Sequence, residues 1–260
     1  SFFSEIYNPN DNWRLYIIKG GPGTGKSSFI KNVATEVEKE GYAVERIPCA
    51  SDPTSLDGVI FHELKTAIAD GTAPHVIEPK FPGAIEQILN LGDYWDSNML
   101  RENAFEIRRL TLLNSEEHKR CNRFISVAAS IDQDTKKLVS PFLMQDKIKR
   151  FAKRFAAREF NIKKGVPSKE YHRFLSAITP FGFDVKTQTA TALCGKIISI
   201  DDPFGLSSSM LLEELRKVAL LQGLDIIICP CPLRPETDIE HLFLPELGLG
   251  LMTQNLYHKA

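Results

Sequence analysis

Residues 13–19 read WRLYIIK and residues 20–27 read GGPGTGKS, and the junction between them decides the fold. The aromatic and β-branched residues of the first segment predict a buried strand that breaks into glycines. The second segment fits the pattern G-x-x-x-x-G-K-[ST], in which inward-pointing backbone N–H groups surround a phosphate and side chains would collide with it. After the loop, apolar residues recur at helical spacing, at Phe29, Ile30, Val33, Ala34 and Val37, before the helix-ending Gly41. The sequence therefore predicts a strand, a phosphate-binding loop and a helix whose N-terminal dipole attracts phosphate.

The loop supplies the predicted cofactor-binding residues, which are Gly20, Gly21, Pro22, Gly23, Thr24, Gly25, Lys26, Ser27 and Ser28. We expect Lys26 to reach the β- and γ-phosphates of a nucleotide and the Ser27 hydroxyl to bind Mg²⁺. ATP is favoured over GTP because the chain contains no guanine-reading N-K-x-D segment. The expected cofactors are therefore ATP and Mg²⁺.

A site of this type needs an acidic residue at the end of a neighbouring buried strand to hold hydrated Mg²⁺. Residues 66–69 form a short apolar run that ends in Asp70, which is the first choice for this role. Asp52 and Asp57 are alternatives, because they follow a predicted strand over 42–48 whose end opens toward the same edge. A purely structural turn role of Asp70 also stays open, because Asp-Gly is a common turn signal. Thr72 and His75 could orient the attacking water or contact the γ-phosphate. For His75, a surface loop histidine without such a role is the open alternative. The predicted catalytic residues are Lys26, Asp70 and His75, and the predicted metal ligands are Ser27 and Asp70.

Helical spacing dominates from about residue 84 to residue 172, which predicts a helical insertion. The residues that set this spacing are Ile85, Ile88, Leu89, Leu100, Ala104, Ile107, Leu110, Cys121, Phe124, Ile125 and Ala128. From about residue 140 the pattern predicts a basic amphipathic helix with the cations Lys147, Lys149, Arg150, Lys153, Arg154, Arg158, Lys163 and Lys164. Three alternatives stay open for residues 147–164: a solvated face, a lid whose arginines reach a transferring phosphate, and a patch that holds an anionic partner.

The two ends of the chain align with each other. Residues 196–200 align with residues 14–18, and residues 202–208 align with residues 20–26. The offset between the two copies is 182 residues there and 183 residues near the end of the chain. The second copy has no lysine in its loop, and Thr253 replaces Asp70. We therefore expect residues 173–260 to form a degenerate P-loop-like module that binds triphosphate poorly or not at all.

Five segments together carry a family resemblance: IKGGPGTGKSS (18–28), CASD (49–52), LDGV (56–59), DGTAPH (70–75) and SAITPFG (176–182). With them the chain resembles a family of bacterial tandem P-loop proteins that are labelled ATPases or ATP-binding proteins. The resemblance covers most of the chain and implies a P-loop fold and a nucleotide, but no substrate. The chain departs from the pattern in its degraded second loop, and its first half lacks a counterpart of Thr179-Pro180.

Composition excludes several classes of protein. With 43% hydrophobic and 25% charged residues among 260, the chain is neither disordered nor collagen-like. It has no apolar run of the roughly 18 to 20 residues that a membrane helix needs, and residues 1–5 lack a signal-peptide pattern, so we expect a cytoplasmic protein without a membrane partner. Five cysteines without a C-x-x-C pair predict neither a disulfide framework nor a zinc site. Residues 131–172 hold 11 basic and 5 acidic groups, which indicates a local anionic partner.

The expected fold is α/β, with a P-loop NTPase-type parallel sheet in residues 1–83, a helical insertion in 84–172 and the degenerate module in 173–260. Three functions fit it. The first is ATP hydrolysis at the first module that drives a conformational switch. The second is a nucleotide or small-molecule kinase with a basic helical lid, which would turn over only with an acceptor. The third is a nucleotide-gated module that binds nucleic acid or an acidic partner.

Overall fold

A computed structural model of the chain describes residues 5, 7, 9, 11–73, 76–160 and 167–255. These residues divide into two compact units, and the division falls between Glu116 and Glu117. Each unit is built around one five-stranded sheet with at least one helix packed on it, so the fold class is α/β.

The strands of the first unit are β1 (Arg14–Lys19), β2 (Glu45–Pro48), β3 (Leu56–Phe61), β4 (Thr66–Asp70) and β5 (Glu86–Asn90). They lie in the order β2-β3-β4-β1-β5. The strands β4, β1 and β5 are parallel, whereas β2 pairs antiparallel with β3 and β3 pairs antiparallel with β4. The prediction of a parallel sheet is therefore wrong, and the sheet is mixed. The connections explain this, because residues 49–55 and 62–65 are too few for the crossover that parallel neighbours require.

Both faces of β1 are buried, which is why its sequence is apolar almost throughout. Side chains alternate across a strand, so Leu15 and Ile17 enter one core cluster and Ile18 enters the other. The second cluster includes Ile30 and Ala34 of the helix α1 (Lys26–Lys39). This packing fixes the loop 20–25 at the carboxyl end of β1.

The helical interpretation of Ile85, Ile88 and Leu89 is wrong, because β5 is a strand that pairs in parallel with β1. A short apolar run fits a helix or a strand equally well. On the side of β1 away from β4, the backbone N–H and C=O groups need hydrogen-bond partners, and a strand supplies them. Strand structure also occurs over Glu170–His172, so both ends of the expected insertion 84–172 belong to sheets.

Three helices follow β5: α2 (Ser97–Glu102), α3 (Ala104–Val139) and α4 (Gln145–Glu159). The basic amphipathic helix is confirmed as α4. It buries Ala152, Phe155 and Ala156 and exposes its cations within the described range, whereas Lys163 and Lys164 lie outside the described residues. Within the described part of the chain, no helix is both long and apolar enough to cross a membrane.

The strands of the second unit are β6 (Glu170–His172), β7 (Ser176–Thr179), β8 (Gly182–Val185), β9 (Lys196–Asp201), β10 (Ile226–Pro230), β11 (Ile239–Leu244) and β12 (Leu249–Gln254). The main sheet has the order β6-β10-β11-β12-β9, and β7 pairs with β8 in a separate hairpin. Besides α4, this unit contains the helices α5 (Thr187–Leu193) and α6 (Leu206–Leu221). The helix α6 packs on the sheet through Leu212, Leu215 and Ala219, in one core cluster with the buried face of α4.

The second sheet repeats four strands of the first. The order β10-β11-β12-β9 has the same sequence of antiparallel, antiparallel and parallel pairs as β2-β3-β4-β1. Lys196 pairs with Leu249 as Arg14 pairs with Thr66, at offsets of 182 and 183 residues. The irregularity between Ile47 and Pro48 also recurs, between residues 229 and 230. The offsets that align the sequence therefore also align the strand registers.

A buried group of charges lies at the C-terminal end of α3. The Nζ atom of Lys136 lies 2.5 Å from Asp238 Oδ2 and 3.2 Å from Asp132 Oδ2. Arg234 donates a second charge-assisted hydrogen bond to Asp238. Burial alone would raise the pKa of Asp238, but the hydrogen bonds from Lys136 and Arg234 hold the pKa of this carboxyl below its usual value.

Candidate functional site

The loop between β1 and α1 has a backbone that requires glycine at two positions. Gly23 and Gly25 have φ angles of 77° and 83°, in the left-handed region that other residues rarely adopt. A Cβ on either would meet nothing within 4 Å, so the backbone conformation and not the space demands glycine. The sequence pattern predicted this irregular loop.

The N-terminus of α1 lies open at the end of this loop. Gly25 occupies the N-cap position and provides no side-chain cap. The first helical hydrogen bond runs from Phe29 N–H to Gly25 O at 2.8 Å. The N–H groups of residues 25–28 therefore have no acceptor inside the helix. Such groups attract an anion, and the helix dipole adds to this attraction.

Lys26, the first residue of α1, folds its side chain back over the loop. Its Nζ donates to Gly20 O and Gly21 O, both at 3.0 Å. The same atom lies 3.6 Å from Asp70 Oδ2, and the side chain is only 13% exposed. The loop therefore combines a mostly buried ammonium group with the open helix N-terminus.

Asp70 ends β4 and lies opposite Ile18 of β1 in the parallel register. Its Oδ1 accepts hydrogen bonds from Thr72 N–H at 2.9 Å and from Thr72 Oγ1 at 2.5 Å. Its Oδ2 faces Lys26. Thr72 thus orients the carboxylate, and the structure brings Asp70 and Lys26 together. His75 lies outside the described residues.

Ser27 connects the start of α1 to the start of β3. Its Oγ accepts a hydrogen bond from Leu56 N–H at 2.9 Å. A serine hydroxyl that accepts one bond still has a proton to donate and a second lone pair. The loop after β2 therefore lies at the same edge as the glycine loop, as the sequence indicated.

The two alternative carboxylates have other partners. Asp52 accepts hydrogen bonds from Ser55 and Thr54, and these bonds lower its pKa. Asp57 lies within β3 and hydrogen-bonds the Cys49 thiol, whose pKa is raised mainly by burial. Both side chains are engaged within the segment 49–57.

Sequence reasoning missed Lys19, which joins β1 to the segment after Asp70. Its Nζ donates to Gly71 O at 2.9 Å, to Ile77 O at 2.8 Å and to Glu78 Oε1 at 2.6 Å. A Cβ on Gly71 would lie 2.3 Å from a methyl carbon of the buried Ile17, so this segment packs directly on β1. A charged residue directly after the apolar run of residues 15–18 was the available signal.

Sequence reasoning also missed Trp95, whose indole lies against the loop. A Cβ on Gly21 would be 3.1 Å from Trp95 Cζ2, and one on Gly92 would be 3.5 Å from Trp95 Cε3. The side chain of Asn90 accepts a hydrogen bond from Gly92 N–H at 3.0 Å and so caps the short turn Leu91–Tyr94 that precedes the tryptophan. The Tyr94-Trp95 pair just after an apolar run was the available signal.

The corresponding loop of the second unit differs at the positions that align with Gly20 and Lys26. Asp202 aligns with Gly20, and its Oδ2 accepts a hydrogen bond at 2.7 Å from the N–H of Ser208, which aligns with Lys26. Gly205 retains the left-handed conformation of Gly23, with φ of 63°. The helix α6 begins directly after it, two positions earlier than α1 in the alignment. A carboxylate of the chain itself therefore caps this helix.

One feature of the helix start is common to both units. Ile239 N–H donates to Ser209 Oγ at 3.2 Å, as Leu56 N–H donates to Ser27 Oγ. The side chains of Ser208 and Thr253 are buried, and their hydroxyl oxygens lack a hydrogen-bond partner among the described residues. The second loop thus retains the framework of the first but has neither its lysine nor its strand-end aspartate.

The basic helix α4 and the glycine loop belong to different compact units. Arg158 pairs with Glu159 and lies 5.5 Å from the centre of the Phe155 ring. Lys147, Lys149, Arg150, Lys153 and Arg154 are exposed and form no ion pair with any described residue. These five cations give α4 an exposed basic face.

The described residues do not form a ready-made metal site by themselves. In the ranges that the structure describes, no three His, Cys, Asp or Glu side chains assemble into a group that could hold a metal ion. A cation here would need further oxygen ligands besides Ser27 and Asp70. Comparison of the chain with protein-family models, with curated proteins and with solved structures found no match.

Proposed function

We propose that the first unit binds Mg-ATP at residues 20–28 and hydrolyses it, as a P-loop NTPase. The observation that carries this proposal is the uncapped N-terminus of α1 beside an ammonium and a carboxylate that lie 3.6 Å apart. Anion-binding N–H groups, a cation and a strand-end acid are the three elements that phosphoryl transfer requires. The N–H groups and the cation come from the start of α1, the acid comes from the end of β4, and the parallel register of β1 and β4 brings them to one edge of the sheet.

A triphosphate fits this arrangement. Lys26 donates to two backbone carbonyls, which are weaker acceptors than charged phosphate oxygens, so a phosphate would draw its ammonium away from them. The N–H groups of residues 25–28, which have no acceptor inside the helix, supply further donors. ATP remains the proposed nucleotide, because no N-K-x-D segment is present.

The oxygen groups near the loop fit Mg²⁺, which prefers oxygen ligands and usually binds few protein groups together with substrate phosphates. Ser27 retains a lone pair on its hydroxyl, and Asp70 has one carboxylate oxygen directed at Lys26 and one held by Thr72. When bound there, the metal would neutralise charge on the phosphates. Asp70, held in place by Thr72, is the residue that fixes the position of the cation.

The second unit does not bind triphosphate in this proposal. Asp202 places a negative charge where the anion would lie, and Ser208 replaces the lysine. A phosphate would have to displace a buried carboxylate and would meet its repulsion. The second unit is thus a degenerate copy of the first.

The exposed basic face of α4 favours a second candidate function, in which the nucleotide controls binding of an anionic partner. Five exposed cations that form no ion pair with a described residue would give such binding a steep dependence on salt concentration. The kinase alternative needs arginines of α4 to reach the phosphates, and it stays a prediction.

The test is ³¹P NMR of the purified protein with excess Mg-ATP over several hours. Wild type should release inorganic phosphate steadily, and Lys26→Ala should abolish both release and tight ATP binding without unfolding the chain. Lys31→Ala is the matched control, because it removes an exposed lysine from the same helix and should change neither property. Unchanged affinity in Lys26→Ala would refute the site assignment.

A second variant separates the metal from the nucleotide. Asp70→Asn keeps a hydrogen-bond acceptor for Thr72 but removes the charge that would face Mg²⁺. It should reduce Mg²⁺-dependent turnover far more than metal-free nucleotide binding. Equal losses of Mg²⁺-dependent turnover and of metal-free nucleotide binding would mean that another residue holds the metal. ATP that binds without hydrolysis would favour the kinase or the gated binding module.

A further inference from the structure

Trp95 occupies the side of the loop opposite to Asp70. The strand β1 lies between β4, which ends in Asp70, and β5, whose Asn90 pairs with Lys19 just before the loop. The chain then makes the turn Leu91–Tyr94 and places Trp95 beside Gly21. Asp70 and Trp95 therefore flank the loop from opposite neighbours of β1.

The indole ring is packed on one part and open on another. It lies between Gly21 and Gly92, with distances of 3.1 and 3.5 Å to the positions that their Cβ atoms would take. The residue nevertheless remains 44% exposed. A large aromatic group that is held in place beside a polar loop, with free surface left, can accept a flat apolar ligand.

A nucleoside triphosphate is an extended molecule with its base at the opposite end from the γ-phosphate. In the proposed function the γ-phosphate and the metal lie near Lys26 and Asp70, so the base must lie away from them. We infer that Trp95 stacks on the base of the bound nucleotide. This inference rests on the proposed function and adds to it the residue that distinguishes a nucleotide from a bare polyphosphate.

Stacking determines what kind of selectivity to expect. Every base has a π-face, so stacking tolerates adenine and guanine alike. Loss of one base–aromatic stack weakens binding by roughly 5- to 150-fold. The loss should occur for ATP and GTP and should be absent for tripolyphosphate, which has no base.

The experiment measures the affinity of ATP and of tripolyphosphate, each with Mg²⁺, by calorimetry. The variants Trp95→Phe and Trp95→Leu form a matched pair, because both retain an apolar side chain beside Gly21 but only phenylalanine retains a flat π-face. Trp95→Phe should remain within about threefold of wild type for both ligands. Trp95→Leu should lose roughly 5-fold or more for ATP and less than twofold for tripolyphosphate.

A second measurement does not depend on how well Trp95→Leu folds. The chain has two tryptophans, Trp13 and Trp95, so Trp13→Phe leaves Trp95 as the single emitter. ATP should quench its fluorescence more strongly than tripolyphosphate at saturation.

Each outcome separates this inference from the proposed function. Equal losses for both ligands would show that Trp95 only positions the loop, and equal affinities in all variants would show that it makes no contact with the base. Either result overturns the inference while ATP binding stands. If wild type binds neither ligand, the proposed function fails, and the inference fails with it.

Discussion

Replacing Asp202 with Asn tests whether its carboxylate takes the place of a bound anion in the second loop. Asp202 is 6% exposed, its Oδ2 accepts from Ser208 N–H at 2.7 Å and its Oδ1 accepts from Phe204 N–H at 3.2 Å. A bond to a charged acceptor contributes about 1 kcal/mol more than a neutral one. The attraction between a carboxylate and a helix N-terminus adds about 0.3–1 kcal/mol. Removing a buried charge is itself favourable and offsets part of the lost stabilisation. We therefore expect Asp202→Asn to lower the free energy of unfolding by about 1–2 kcal/mol.

The assay is urea denaturation followed by far-UV circular dichroism, which includes the signal of α6. Asp201→Asn makes the same chemical change at an exposed neighbouring position and should stay within about 0.5 kcal/mol of wild type. Asp202→Ala removes both acceptors and should cost about 1 kcal/mol more than the Asn variant. Equal stabilities of the Asp202→Asn and Asp201→Asn variants would refute the reasoning, and ATP affinity should not change in any of the three.

Gly71→Ala would place a Cβ 2.3 Å from a buried isoleucine methyl, so it should lower the free energy of unfolding by about 1–3 kcal/mol and slow ATP turnover by displacing Asp70. Gly195→Ala, where a Cβ meets nothing within 4 Å, should change neither quantity in the same urea and phosphate-release assays. Asp238→Asn leaves two buried cations poorly paired and should cost about 3 kcal/mol by urea denaturation, against less than about 0.5 kcal/mol for Asp134→Asn in an exposed pair. Folding lowers the pKa of Asp238, so its contribution to the free energy of unfolding should be complete above an unfolded pKa of about 3.9. This contribution should disappear as the pH falls through the lower pKa of the folded state. Equal acid sensitivity of the Asn variant and wild type would contradict the assignment.

The sequence predicted the local structure around the candidate site well, because interactions between residues close in the chain determine it. The apolar run of β1, the glycines with positive φ and the periodicity of α1 each act within a few residues. Asp70 could be placed at a strand end from the apolar run before it. The basic helix α4 followed from its spacing of charges and apolar residues in the same way.

The rest depends on contacts between distant residues, which periodicity does not encode. The acceptors of Lys19 on Gly71 and Ile77 lie 52 and 58 residues along the chain. Trp95 lies beside Gly21 because β5 pairs with β1, whereas the spacing of Ile85, Ile88 and Leu89 predicts a helix at β5. The short connections explain why β2, β3 and β4 pair antiparallel. The length of a connection does not by itself predict the order of the strands in the sheet.

The carboxylate of Asp202 has a consequence for how the chain would respond to nucleotide concentration. A repeat protein with two open loops could bind two nucleotides and couple them. Here the carboxylate of Asp202 already accepts a hydrogen bond from the start of α6, so a dissolved anion would have to displace it. Titration with ATP should therefore follow a simple hyperbola and saturate at one nucleotide per chain. The second unit, although it repeats four strands of the first, should not contribute to the binding curve.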